Sequence, residues 1–203
     1  NSGSGVSLNE FKFNPKRNYL LNNFLYCSRL IKSKGLPKLV DVINNDNFFK
    51  QKKIIINIFG ALNYKDRDTI KEKTIKTYLK HQNLKLNGFE KNKDVIYSVS
   101  DFIIFPSEYN EGTPKTLLEC MATGVICICL KRYYIEGLIS DGETGFLINN
   151  IEDLPKKIKE IQKIPIKKLK KIASNARKHI ENHFYEEIVI RNYHNLIKSC
   201  HNY

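Results

Sequence analysis

Short apolar runs rich in β-branched residues alternate along this chain with stretches patterned as helices, and few architectures accept such an order. The runs are YLLNNFLYC (19–27), KIIINIFG (53–60), DFIIFPS (101–107), VICICL (125–130) and TGFLI (144–148). Each reads as a strand buried on both faces. Between them, 36–45, 67–82, 91–100 and 114–124 read as helices. Strands without polar alternation need cover on both sides, so the order predicts an α/β fold, a parallel sheet with helices on both faces. From 151 onward the pattern is helical only, over 151–164, 166–184 and 186–200, which predicts a carboxyl-terminal helical tail packed on the same domain. Residues 1–17 read as a linker or edge segment, 18–150 as the α/β domain and 151–203 as its closing helices. There are no internal repeats.

With 203 residues and 41 % hydrophobic content, one well-buried domain is expected. No run approaches the roughly 18 apolar residues that span a bilayer. The only methionine is Met121, so the opening NSGSG reads as the interior of a longer polypeptide. A formal net charge of +13 invites an anionic ligand, an anionic membrane surface or nucleic acid. Lysines recur throughout, however, and the densest run, 156–172, carries apolar residues at helical spacing, so most of its lysines read as a solvated face. Five cysteines (27, 120, 127, 129, 200) show no C-x-x-C pair, and alternation turns Cys127 and Cys129 to one side of a strand. They read as reduced core thiols of a cytosolic protein. The five histidines show no metal-ligand pattern.

In an open α/β sheet, ligands sit beyond the carboxyl ends of the strands. The residues that follow the strands are therefore the informative ones. The first strand leads to Arg29 and Lys34, the second to Gly60, and the 101–107 run to Glu111 and Gly112. Pro114 suits the first helical position, with Thr113 as N-cap, which directs the free amides of the first turn at the Gly112 loop, a favourable place for phosphate. Glu111 lies just before this helix and Glu119 inside it, both able to face one crevice. Carboxylates repel phosphate, so beside a phosphate site they more reasonably accept hydrogen bonds from sugar hydroxyls.

Taken together, FPSEYNEGTPKTLLECMATG, the upstream SRLIKSKG, the downstream DGETGFLI, the opening GVSLNEF and the closing HFYEEIVIRNYHNLI resemble the carboxyl-terminal, donor-binding half of retaining glycosyltransferases of family 4, which have the GT-B fold of two Rossmann-like halves. The resemblance runs over about residues 5–150. It implies that Glu111 lies against the donor sugar, Glu119 accepts from the ribose, and Arg29 and Lys34 hold the donor diphosphate without a metal. It also implies that Gly112, Thr113 and Pro114 form the loop facing the donor and that Gly88 and Phe89 line the base pocket. A turn glycine and a core phenylalanine account for Gly88 and Phe89 equally well, and an ordinary helix-surface Glu119 or loop acid Glu111 is the plain alternative for the glutamates.

The sequence departs from that pattern in places. Ile126 stands where a proline is usual, Tyr133 and Tyr134 replace a pair of glycines, Glu136 is displaced by one position, and FGALNYKD is poorer in glycine than the family's turn after the second strand. The activity implied is transfer of a sugar from a nucleotide-diphosphate sugar, a substrate and not a cofactor, to a glycan or lipid-linked acceptor bound by an amino-terminal half that this chain lacks. Polysaccharide or lipopolysaccharide synthesis at the cytoplasmic membrane face fits. A nucleotide-sugar epimerase of the same architecture, a nucleotide-sensing domain and a basic nucleic-acid binder stay open as alternatives, the last without any recognisable nucleic-acid motif.

Overall fold

The structure is a computed structural model and describes residues 4–51, 54–62, 64–78 and 81–200. Asn1 to Gly3, Lys53 at the head of the second expected strand, Leu79 and Lys80 of the expected helix 67–82, and the last three residues lie outside that set. Among the described residues six strands form one sheet: β1 (Asn23–Cys27), β2 (Ile55–Phe59), β3 (Leu84–Gly88), β4 (Phe102–Phe105), β5 (Ile126–Leu130) and β6 (Phe146–Ile148). Their order is β3-β2-β1-β4-β5-β6, and every neighbouring pair is parallel. The expected fold class is therefore the observed one: a Rossmann-like, doubly wound sheet whose strand order reverses between β1 and β4.

Strand alternation divides the interior in two. Phe24, Tyr26, Ile56, Ile58, Phe102, Ile104, Ile126 and Ile128 point to one face, where α1 (Leu36–Asn45) and α7 (Leu154–Ile161) cover them. Leu25, Ile103, Phe105, Cys127 and Cys129 point to the other, beneath α5 (Lys115–Thr123) and the second half of α8 (Ile166–His183). Both faces are apolar, hence the unbroken runs in the sequence. Each such side chain contributes about 1.5–3 kcal/mol on burial.

Several elements differ from expectation. β1 begins at Asn23 and not at residue 19, because Tyr19 adopts a left-handed φ of 53° and its hydroxyl donates to the Gly124 carbonyl. β3 was not expected: LKLNG is an edge strand that is only partly buried, so it never needed an apolar run. Short helices α2 (Asn47–Gln51) and α6 (Tyr133–Glu136) also escaped the periodicity, whereas α3 (Glu72–Tyr78) and α4 (Lys93–Ser98) are the central parts of longer expected helices. The closing helices are α7, α8 and α9 (Glu186–Cys200). Cys127 and Cys129 do share one buried face, but Cys27 is only half-buried and Cys200 is exposed, so the five are not all core thiols.

Residues 4–17 are packed on the domain. The Val6 N–H donates to the Phe184 carbonyl and the Glu186 N–H to the Val6 carbonyl, while Phe11 is buried. Arg17, 6 % exposed, spans the amino ends of the central strands: its guanidinium donates to the carbonyls of Tyr97 (2.6 Å), Ser100 (2.8 Å) and Thr123 (3.2 Å) and pairs with Asp101 (3.2 Å). A planar fork of donors is what such a set of acceptors requires. Removing it strands buried carbonyls and a carboxylate, so Arg17→Ala is predicted to cost about 3–5 kcal/mol, read as a lower urea midpoint with unchanged slope.

Candidate functional site

The site begins with a backbone contact. After β1 the chain makes a 3₁₀ turn, Lys32–Lys34, and enters α1 through Gly35 at φ 82°. A Cβ at position 35 would stand 2.1 Å from the carbonyl oxygen of Pro106, at the end of β4. Only glycine lets the two loops meet so closely in that conformation. The Glu108 N–H donates to the Ser33 carbonyl (2.8 Å) and the Tyr26 hydroxyl to the Lys34 carbonyl (3.3 Å), fixing the turn against the loop that follows β4. Asp68 holds its outer side, accepting from the Ser33 N–H (2.8 Å) and hydroxyl, and those bonds keep its carboxyl below the usual range.

This seam delivers Lys34 to Glu111. The ammonium, 8 % exposed, lies 2.5 Å from Glu111 Oε1, which also accepts from the Ser107 hydroxyl at 3.4 Å. Lys34 sits 4.8 Å from the centre of the Tyr109 ring, and the Arg29 guanidinium 5.4 Å from the same ring. Arg29, half-exposed, pairs with Asp66 at 3.4 Å. Thus Arg29, Lys34 and Glu111 converge at the strand-order reversal. A cleft of about 760 Å³ opens beside them, lined by Glu111, Gly112, Thr113, Tyr133 and Tyr134. Tyr134 donates to the Ser107 carbonyl (3.1 Å), and α6 presents both tyrosines where the family pattern has glycines.

The α5 start differs by one residue from expectation. Pro114 is the N-cap, its carbonyl accepting from Leu117 and Leu118, so Thr113 lies outside the helix and no side chain caps it. Proline's fixed φ and absent N–H suit that half-helical place as well as the next. The amides of Lys115 and Thr116 still precede the first intrahelical bond, next to Gly112.

Their spacing let Glu111 and Glu119 face one crevice, but Glu111 lines the larger cleft and Glu119 does not. It is 9 % exposed, and its Oε2 accepts from the Tyr97 hydroxyl and from Lys93 at 3.1 Å. Burial, with Cys120 and Glu119 nearby, pushes the Tyr97 phenol upward, so it remains a donor. Lys93 lines a second, smaller cleft of about 140 Å³ at the carboxyl ends of β1–β3, with Cys27, Arg29, Gly60, Phe89 and Ile96. Gly88, at φ 75°, turns the chain out of β3 and leaves Phe89 68 % exposed on the rim of that cleft, so Phe89 is not a core residue. Gly60 packs on the Ser28 carbonyl, 2.0 Å from where its Cβ would stand. Arg29 lines this second cleft and stacks on Tyr109, two residues before Glu111.

Lys93, Tyr97, Tyr109, Asp66 and Asp68 were missed from the sequence. Lys93 and Tyr97 stand four apart on α4, but in a lysine-rich chain that spacing carries no signal. No group of three or more potential metal ligands occurs among the described residues.

A doubly wound domain with two clefts and a row of cations beyond its strand ends belongs to the α/β proteins that bind ligands at a switch point. Residues 9–179 match the family of glycosyl transferases group 1, and the chain belongs to that family. No curated protein matches by sequence. Among solved structures, HepE from Anabaena, determined with UDP and glucose, superposes with a TM-score of 0.79 at 20 % identity, over 96 % of this chain and 55 % of that one. A glycosyltransferase from Rickettsia africae gives 0.78 at 22 % identity, over 97 % and 55 %. Sucrose-phosphate synthase from Thermosynechococcus elongatus gives 0.80 at 18 %, over 98 % and 52 %. The likeness is one of fold, and this chain spans about half the length of those structures.

Two outcomes follow from the geometry. Gly35→Ala is predicted to lose about 2 kcal/mol or more of stability in denaturant unfolding, from a left-handed φ and a backbone clash combined. The Cys27 thiol is pushed up to about 11, burial being the main cause. At neutral pH a thiol reagent is predicted to label Cys200 rapidly and Cys27 slowly, with Cys120, Cys127 and Cys129 reacting only on unfolding, as resolved by peptide mass spectrometry.

Proposed function

We propose that this chain is the donor-binding, carboxyl-terminal half of a family 4 retaining glycosyltransferase, taking a nucleotide-diphosphate sugar and passing its sugar to a glycan or lipid-linked acceptor. The observation that carries the reading is the convergence of Arg29, Lys34 and Glu111 at the reversal of strand order. In this reading the diphosphate lies between the two cations and the start of α5, near Gly112, Thr113 and Pro114. The sugar enters the larger cleft beside Glu111, Tyr133 and Tyr134. The nucleoside enters the smaller one, its base against the exposed Phe89 ring beyond Gly88 and its ribose near Glu119. That HepE was solved with UDP and glucose supports the donor class.

When the bond from the anomeric carbon to phosphate breaks, negative charge grows on the leaving phosphate. Fixed cations and helix-start amides stabilise that charge more in the transition state than in the ground state. Arg29 offers two parallel donors and Lys34 a point charge, so protein groups fill the part that a metal plays elsewhere. Glu111 starts paired with Lys34. A bound diphosphate draws the ammonium toward itself, and the released carboxylate accepts from sugar hydroxyls. The acceptor site belongs to a second half, and the reaction runs in the cytoplasm, where the acceptor is a polysaccharide or lipopolysaccharide precursor.

The test is a thermal-shift and calorimetric screen against nucleoside diphosphates and their sugars. Binding of at least one is expected, weakened about 10- to 100-fold in Lys34→Ala, a loss of about 1.4–2.7 kcal/mol. In the full-length enzyme Glu111→Ala should abolish transfer while retaining nucleotide binding, and a chelator should leave transfer intact. No binding of any nucleoside diphosphate overturns the reading, and an epimerised sugar nucleotide in place of a glycosylated acceptor replaces it with epimerisation.

A further inference from the structure

Between Ile161 and Ile180 the sequence carries seven Lys and Arg and no acidic residue. The structure gathers five of these lysines, Lys163, Lys167, Lys168, Lys170 and Lys171, on one exposed corner where α7 turns into α8. Leu169, Ile172, Ala176 and Ile180 are the buried stripe of α8, so Lys167 and Lys171 stand on its opposite side. None of the five has an ion-pair partner among the described residues, and no acidic residue lies between Ile161 and Ile180 to provide one. Two of them, Lys167 and Lys168, occupy the first turn of α8, where the helix dipole disfavours cations, and no acid offsets them. At the tip, Ile166 is 51 % exposed and follows Pro165, also exposed.

We propose that this α7–α8 corner is a docking surface for an anionic lipid bilayer, with the lysines over the phosphate headgroups and Ile166 entering the interface. Five lysines on one convex corner, unpaired and placed against the helix dipole, complement a dense array of negative headgroups. The apolar tip selects lipid over nucleic acid: an isoleucine gains by entering the acyl boundary, and residues 161–180 offer no Phe, Tyr or Trp on which a base would stack. Among the described residues no helix is long and apolar enough to cross a membrane, so the contact is peripheral. The surface shares no residue with either cleft, and the inference stands apart from the donor reading.

The test is partition of this chain onto vesicles of phosphatidylcholine with and without phosphatidylglycerol. Binding is expected only with the anionic lipid, and it weakens as salt rises. Replacing Lys163, Lys167, Lys168 and Lys171 by Gln should lower the partition about 1,000-fold, taking about 1 kcal/mol for each lysine. Ile166→Ser should weaken binding while preserving the salt dependence. A control with Lys12, Lys16, Lys71 and Lys73 replaced by Gln removes as much charge elsewhere and should bind nearly as the parent does. Circular dichroism and thermal unfolding check that each variant keeps its fold. The proposal is overturned if anionic vesicles do not bind, if the control loses as much as the corner variant, or if an oligonucleotide binds more tightly than the vesicles through the same lysines.

Discussion

Everything at the candidate site depends on the contact of Gly35 with the Pro106 carbonyl. Two loops that follow strands β1 and β4, far apart in the chain, come together there at a distance no side chain would permit. The same contact fixes the 3₁₀ turn that carries Lys34, and it brings the backbone of Glu108 onto Ser33. A lysine that is 8 % exposed would be costly if unpaired, and Glu111 meets it only because the seam is closed. The ion pair is therefore a consequence of main-chain packing, held in place by groups that never face the clefts.

The two glutamates that stand out in the sequence have separate surroundings. Glu111 sits in a loop, partly open, paired with one buried ammonium and facing the larger cleft. Glu119 is inside a helix and nearly enclosed, its Oε2 held by a phenol and a second lysine. A loop acid can exchange partners when a ligand arrives, whereas a clamped helix acid offers a fixed acceptor. Arg29 lines the smaller cleft, and the Tyr109 ring it shares with Lys34 joins it to the Glu111 loop. That division suits a ligand with chemically different ends and a charged middle.

How much of this was legible in the sequence follows from where the information resides. Strands buried on two faces, such as β4 and β5, advertise themselves as apolar runs. β3, at the sheet edge and half-wet, gives no such run. Arg29, Lys34 and Glu111 were readable because they follow strands directly, and the doubly wound order fixes where strand ends lie. The placing of Glu119 was not, since eight residues of spacing cannot say which side of a helix start a crevice occupies. Nor were Lys93 and Tyr97, whose part depends on α4 packing beside α5. Phe89 was ambiguous until the left-handed Gly88 decided that its ring points outward.

The strand order also sets a timetable for assembly. β1 pairs with β2 and with β4, and of the five ladders only β1–β4, joining Phe24 to Phe102, links strands that are not consecutive in the chain. Closing so long an interval is entropically slow, and parallel sheets of this kind order late. The Gly35–Pro106 contact joins the β1–β2–β3 portion of the sheet to the β4–β5–β6 portion. The Lys34–Glu111 pair, which spans those two strand-end loops, therefore forms only once that long interval has closed.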